Sequence, residues 1–388
     1  MDRIPTTHVG SLPRPSDVFE LLEEKERTSV EPAGFAKRVK QAVFDIVEQQ
    51  RDCGIDYVGD GEVSKFSYTF YVRHRLQGVG TADQVDAERP KTAAHRDLLD
   101  HPELLQRIAQ KTKAVNWYEM VPPPVCIAPI DYVGQAALTA DLKNLSLAVS
   151  KQDVAGAFVN SASPGVLTKF VPDCHYGDED DYLSALVDAM RTEYQAIHAA
   201  GFMLQIDAPD LASARHNQYQ SLTDKEFRRI AARNIEGINA ATAGIPAESI
   251  RMHVCWGNYE GPHTHDIPFS EITDLVFAAR PAAILFEGAN PRHAHEWEDL
   301  TSVEIPEDKI LIPGVIDTTT NFVEHPRLVE HRLMRYADLV GRERVIAGTD
   351  CGFATFAGPD NAIVPSVVWA KLRSLAEGAT IASERLWP

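Results

Sequence analysis

The sequence predicts an α/β fold, a single (β/α)8 TIM barrel with a helical insertion after the second strand. Three observations predict it. Short apolar runs alternate with longer amphipathic stretches along 388 residues, the pattern of strands that pair in parallel through crossover helices. Unusual polar residues gather at the ends of these runs, where a barrel builds its site. No G-x-G-x-x-G turn follows the first run, which weakens a doubly wound nucleotide-binding sheet, the main competitor.

Candidate strands lie at 4–10 (IPTTHVG), 56–62 (DYVGDGE), 154–161 (VAGAFVNS), 202–209 (FMLQIDAP), 250–257 (IRMHVCWG), 282–288 (AAILFEG), 309–317 (KILIPGVID) and 344–350 (RVIAGTD). Between them, 181–200 places Leu183, Leu186, Val187, Met190, Tyr194 and Ile197 on one helical face, and Gly201 follows as a stop. Thr223 and Glu226 have capping-box spacing ahead of a stripe of Phe227, Ile230, Ala231, Ile235 and Ile238. Residues 324–341 repeat the pattern with Leu328, Leu333, Tyr336 and Val340. The polar stretch 66–123 reads as the helical insertion, ended by the prolines of PPPV at 122–125. It caps the barrel mouth or forms the contact of a homo-oligomer, and both stay open.

Hydrophobic residues make up 44% of the chain and charged ones 24%, ample for one large barrel. A net charge of −18 disfavours nucleic acid and anionic membranes, which would be repelled. No apolar run approaches the roughly 20 residues needed to span a bilayer. The opening MDRIPTTHVGSLPRP lacks the basic-then-apolar order of a signal peptide, so a cytoplasmic protein is expected. Five scattered cysteines form a poor disulfide framework and a normal set of reduced thiols.

His8, Ser11, Asp60, Glu62, Asp207, Asp210, His253, Cys255, Glu287, Asp317, Asp350 and Cys351 all fall at C-terminal ends of candidate strands. His253 and Cys255 are two apart on a strand, so their side chains project from the same face. Imidazole and thiolate are good zinc ligands. A His-x-Cys on an apolar strand is by itself more often a core thiol beside a hydrogen-bonded histidine, and only with Cys351 does spacing bring the two readings even. Cys351, in the turn TDCGF beyond the last strand, is not core filling. Ligands from separate strands, without C-x-x-C knuckles, suit a catalytic zinc more than a structural one. Asp317 and Asp350 are the candidate catalytic carboxylates.

At these residues the chain resembles the cobalamin-independent methionine synthases, in their zinc-bearing barrel. TTHVGSLPR (6–14), GDGE (59–62), LQIDAPDL (204–211), MHVCWG (252–257), LFEG (285–288), IPGVID (312–317) and TDCGF (349–353) match that family's motifs in order. The resemblance implies His253, Cys255, Glu287 and Cys351 as ligands of Zn2+. It implies Ser11 and the Val9 backbone on the carboxylate of an amino-acid thiol, with Glu62 and Asp207 on its ammonium. The implied partners are homocysteine or a related thiol and a methyl donor of the 5-methyltetrahydrofolate type.

Three departures stand out. The chain has about half the length of a two-barrel methionine synthase and matches the single-barrel members. Ala208 replaces a glutamate. Thr319 replaces the histidine thought to protonate the leaving group, and His263, His265 and His325 are either substitutes or plain surface residues. Two rivals follow. In the similar epoxyalkane:coenzyme M transferases a thiol opens an epoxide, which here requires Arg14, Lys65 or Arg73 to turn inward toward a sulfonate. The other is a non-catalytic zinc-binding or uroporphyrinogen-decarboxylase-like barrel that has kept the scaffold. The Gly- and Pro-punctuated loop 257–268 is expected to be mobile, and Asp350 and Asn321 are expected to orient ligands.

Overall fold

The computed structural model describes residues 2–85, 95–112, 122–355 and 363–388. Its strands are β1 (Tyr57–Val58), β2 (Leu76–Gly80), β3 (Val125–Tyr132), β4 (Gly156–Ala162), β5 (Met203–Asp207), β6 (Ile250–His253), β7 (Ala283–Phe286) and β8 (Ile310–Pro313). Six of them make one parallel sheet in the order β1-β4-β5-β6-β7-β8. Every residue of β6 and β7 is buried, as in a sheet covered on both faces.

The segments expected as first and last strands are held by single bridges instead of ladders. Thr6 pairs in parallel with Ala347, Leu311 with Val345 and Gly314 with Gly348, while Tyr57 N–H donates to Thr6 O. These links join the β8 edge to the β1 edge through both segments, the arrangement of a TIM-like barrel.

Arg251 interrupts the apolar run of β6 and is almost fully buried. Its Nε donates to Gln205 Oε1 (2.6 Å), Nη1 to Thr7 Oγ1 (2.8 Å) and Nη2 to His8 O (2.5 Å). The guanidinium lies 3.7 Å from the centroid of the Phe158 ring. A buried charge needs such full satisfaction, and here the contacts tie the 4–10 segment to β4, β5 and β6.

Helix Glu179–Ala199 starts on Asp178, whose carboxylate accepts from Asp180 and Asp181 N–H, and stops at Gly201 in left-handed conformation (φ 84°). Helix Asp224–Ala241 carries the expected capping box between Thr223 and Glu226. In helix Pro326–Val340 the expectation misses by one position. Leu328 is 42% exposed, and Val329 joins Leu333, Tyr336 and Val340 on the buried face.

The 66–123 stretch is not purely helical. It contains β2, which pairs antiparallel with β3 beyond PPPV, as well as the short helices Arg96–Asp100 and Pro102–Thr112. The alternation in LQGVG is too short and glycine-rich to announce a strand. The parts of the expected insertion at 86–94 and 113–121 lie outside the described residues. Among the described residues no helix is long and apolar enough to cross a membrane.

Candidate metal and thiol site

His253 closes β6 and Cys255 stands two residues on, so the pair emerges from the same end of the sheet. Cys351 arrives from the turn after Gly348. The two sulfurs are 3.8 Å apart and both cysteines are free. Ligand atoms of His253, Cys255 and Cys351 all fall within 4.8 Å of one another, and all three residues are buried. His253 Nε2 lies 3.3 Å from Asp350 O, and Nδ1 lies 3.6 Å from Asp207 Oδ1. The hydrogen bond shared with Cys351, reinforced by burial, pushes the Cys255 thiol well above its usual range. Burial opposes the charge on His253, but Asp207 and Cys255 outweigh it and raise its pKa.

Glu287, just past β7, stands outside that three-residue grouping. Its Oε1 accepts from Trp256 N–H (2.8 Å) and its Oε2 from Asn290 Nδ2 (2.7 Å). Burial raises its pKa strongly, and the nearby Cys255 adds to this. Asp350 accepts from the backbone N–H groups of Gly288, Ala289 and Asn290 at 2.8–2.9 Å. Its carboxylate therefore shapes the loop carrying Glu287 and touches no sulfur. Burial raises it to about 6 against the pull of those three donors. A Cβ at Gly314 would come 2.1 Å from Asp350 Oδ1, so only glycine leaves room for this bridge.

Asp317 is turned to its own loop. Thr319 N–H and Oγ1 donate to Oδ1, and Thr320 N–H and Oγ1 donate to Oδ2, all within 3.0 Å. Thr319, at the position of the missing histidine, is thus a loop anchor with no proton to give near neutral pH. Asn321 accepts from Val364 N–H (2.9 Å) beside helix Pro365–Leu386.

The residues expected to hold an amino acid are all buried. Val9 N–H donates to Thr349 Oγ1 (3.2 Å), and Val9 O accepts from Asn160 Nδ2 (2.8 Å) and Gln205 Nε2. Ser11 Oγ accepts from Ala354 N–H (3.3 Å). Asp207 accepts from Gln205 Nε2 (2.7 Å) and Asn160 Nδ2 (3.0 Å). Ala208, where a glutamate was expected, is fully buried.

Glu62 has left-handed φ (56°), a conformation costly outside glycine and concentrated at functional sites. Arg14 donates to Glu62 O (3.1 Å) and to Ala354 O (2.8 Å), while its Nη2 sits 4.0 Å from Glu62 Oε2. Both Nη2 and Oε2 are buried without a hydrogen-bond partner. Burial lifts the Glu62 acid to about 7; Lys65 and Arg14 pull it down while Asp207 pushes it further up. Lys65 also turns inward, donating to Asn160 O (2.8 Å), whereas Arg73 pairs with the buried Glu26 (3.5 Å).

Sequence reasoning missed a second cluster. His263, which it weighed only as a substitute acid or a surface residue, is buried with Asp266, His293 and His216. His265 contacts Asp100 (2.5 Å) and His325 caps helix Pro326–Val340 through Arg327 N–H. The signals lay in P-H-T-H-D (262–266) and R-H-A-H-E (292–296), where histidine and acid recur at three residues. The loop 257–268 is correspondingly pinned, against the expectation of a mobile one. Asn258 donates to Gly352 O (2.7 Å), Tyr259 and Thr264 donate to Asp97, and Trp256 Nε1 donates to Ile267 O (2.6 Å). Through Asp97 and Asp100 the 66–123 stretch rests on this loop.

Residues 101–367 match the family described as cobalamin-independent synthase, catalytic domain. The chain belongs to that family. Among the relatives of this chain is YxjH, an uncharacterized protein of Bacillus subtilis, 22% identical over 95% of this chain and 92% of its own. A methionine synthase of Saccharolobus islandicus is 21% identical, covering 99% and 96%. Two solved structures share the cobalamin-independent synthase fold. A B12-independent methionine synthase from Shewanella sp. W3-18-1, in complex with selenomethionine, has a TM-score of 0.73 at 19% identity, with 99% of both chains covered. A putative vitamin-B12-independent methionine synthase from Listeria monocytogenes has a TM-score of 0.64 at 18% identity, with 98% of both covered.

Proposed function

We propose that this chain is a zinc-dependent alkyltransferase that methylates a thiol in the manner of methionine synthase, with homocysteine or a related amino-acid thiol as acceptor. The observation that carries it is the convergence of His253, Cys255 and Cys351 within 4.8 Å in a buried setting. This donor set fits Zn2+. Two thiols 3.8 Å apart cannot both ionise without a cation between them, and an imidazole completes a thiolate-rich site with room for one more ligand. Glu287 would be that ligand after release from Trp256 N–H and Asn290. Bound there, the ion would supply Lewis acidity that keeps a substrate thiol ionised near neutral pH, where a free thiol is only a few per cent thiolate.

The chain's own residues do the rest. Glu62 and Asp207 hold the ammonium, and Ser11 with the Val9 backbone holds the carboxylate. Asp350 fixes the Glu287 loop, and the 66–123 stretch covers the loop beside the cysteines and excludes water. On this reading residues 1–388 form one catalytic (β/α)8 unit, closed by the single bridges of the first and last segments.

The unpaired Glu62 acid gives a pH signature. Its ionised form binds an ammonium, and its free-state pKa stands near 7. Below that value each binding event must expel a proton, so affinity for methionine, which has no thiol to titrate, falls by up to about tenfold per pH unit. Isothermal titration of the wild type should show this decline on going from pH 8 to about 5.5, and Glu62→Gln should bind more weakly with no slope. A wild-type affinity independent of pH would remove Glu62 from the ammonium pocket.

A second reading has its own observation. Arg14 and Lys65 turn inward, and Arg14 Nη2 lacks a partner, as an anionic thiol such as coenzyme M would require. Calorimetry of the zinc-loaded protein with homocysteine and with coenzyme M separates the two. Homocysteine is expected to bind, and affinity for the sulfonate alone would overturn the amino-acid assignment.

A further inference from the structure

The buried histidine cluster has the geometry of a second coordination site. Three ring nitrogens converge on one carboxylate. His263 Nδ1 is 2.7 Å and His293 Nε2 2.9 Å from Asp266 Oδ2, and His216 Nδ1 is 2.7 Å from Asp266 Oδ1. The last two atoms, His216 Nδ1 and Asp266 Oδ1, are buried, and their angle makes no hydrogen bond despite the short separation.

The outer nitrogens are already committed. His263 Nε2 faces Tyr259 O at 3.0 Å, which demands a proton on Nε2. His293 Nδ1 faces Glu296 Oε2 at 2.9 Å, which places its proton on Nδ1. In the neutral rings both inner nitrogens then present lone pairs to Asp266, whose own lone pairs point back. Such an arrangement is repulsive unless extra protons or a cation lie between them. A histidine with its outer N–H on a carboxylate or carbonyl and its inner lone pair facing a shared centre is the orientation metal-bound imidazoles adopt. One divalent ion would balance Asp266 and Glu296.

We propose that His263, His293 and Asp266, whose ligand atoms lie within 4.8 Å of one another, form a second divalent-metal site, a sulfur-free N2O set suited to Zn2+, separate from the cysteine site and braced by His216 on the other oxygen of Asp266. Its ligands come from the loops after β6 (His263 and Asp266) and β7 (His293), so the ion pins two neighbouring loops at one end of the sheet. The proposal stands whatever thiol the other site takes.

The test is metal stoichiometry by elemental analysis of the full chain loaded with Zn2+ and desalted, repeated with Co2+ for its absorption spectrum. The wild type should hold two ions. Cys255→Ser/Cys351→Ser should retain one, and its Co2+ form should show tetrahedral ligand-field bands without thiolate charge transfer. His263→Gln/Asp266→Asn should retain one, with the thiolate band present. A folded double-cysteine variant that binds nothing, or a wild type holding a single ion that the histidine variant keeps, would overturn the second site. If the cysteine variant fails to fold, one ion in the histidine variant against two in the wild type decides for the site, and equal counts decide against it. A chain with an ion only at the histidines would instead sink the thiol-activation reading.

Discussion

Cys255→Ser is expected to lose one metal ion and to slow thiol alkylation on the order of 10³-fold, about 4 kcal/mol of transition-state stabilisation. A serine hydroxyl does not ionise near neutral pH, so the buried pair with Cys351 can no longer supply two anionic ligands. The remaining His253 and single cysteine make a weak site. Cys351→Ser should act alike, and the double variant should add little, because both substitutions remove the same ion. Metal analysis and single-turnover thiol consumption read the two effects. Wild-type zinc content and rate in Cys255→Ser would end the proposal of thiol activation at these residues.

Asp350→Ala is the substitution with the largest expected effect on stability. It strips the acceptor from three N–H groups, those of the buried Gly288 and Ala289 and of the half-buried Asn290. Each orphaned donor costs about 1–3 kcal/mol, giving a sum near 4 kcal/mol after partial relaxation. With an unfolding entropy of about 2.1 cal/mol/K per residue, a 388-residue chain would lower its melting temperature by roughly 5 °C. Asp350→Asn keeps one acceptor oxygen and should fall between the two. The Glu287 loop loosens at the same time, so metal affinity should drop in parallel. Calorimetric melting with unchanged temperature would mean that the three donors find other partners.

Much of the site could be read from the chain because strand periodicity is short and local. His253 and Cys255 are two positions apart, and alternation alone places them on one face. Cys351 needed only its position after the last apolar run. The aspartates were less legible. Asp317 and Asp350 sit at strand ends as catalytic residues do, yet their partners are backbone and hydroxyl donors of nearby loops, and loop geometry leaves no periodic trace. Arg251 interrupts an apolar strand, but the partners that make its burial tolerable lie on three other elements. The histidine cluster was hidden for the same reason. His216, His263 and His293 come from three loops, and their convergence on Asp266 is a tertiary fact. The fold was clearest where apolar runs were long, and faint at Leu76–Gly80, where glycines break the alternation.

The bridges between the first and last segments bear on how the protein is made. Thr7 N–H donates to Ala347 O, Phe353 N–H donates to Ser11 O, and Val9 N–H donates to Thr349 Oγ1, contacts that span some 340 positions of chain. Cys351 is seated by this junction. A growing polypeptide with His253 and Cys255 already outside the ribosome holds two of the three converging ligands and none of the clasp that orients the third. The cysteine centre is therefore assembled late, after synthesis has passed residue 353, and capture of the proposed ion there would report that the two distant segments have met.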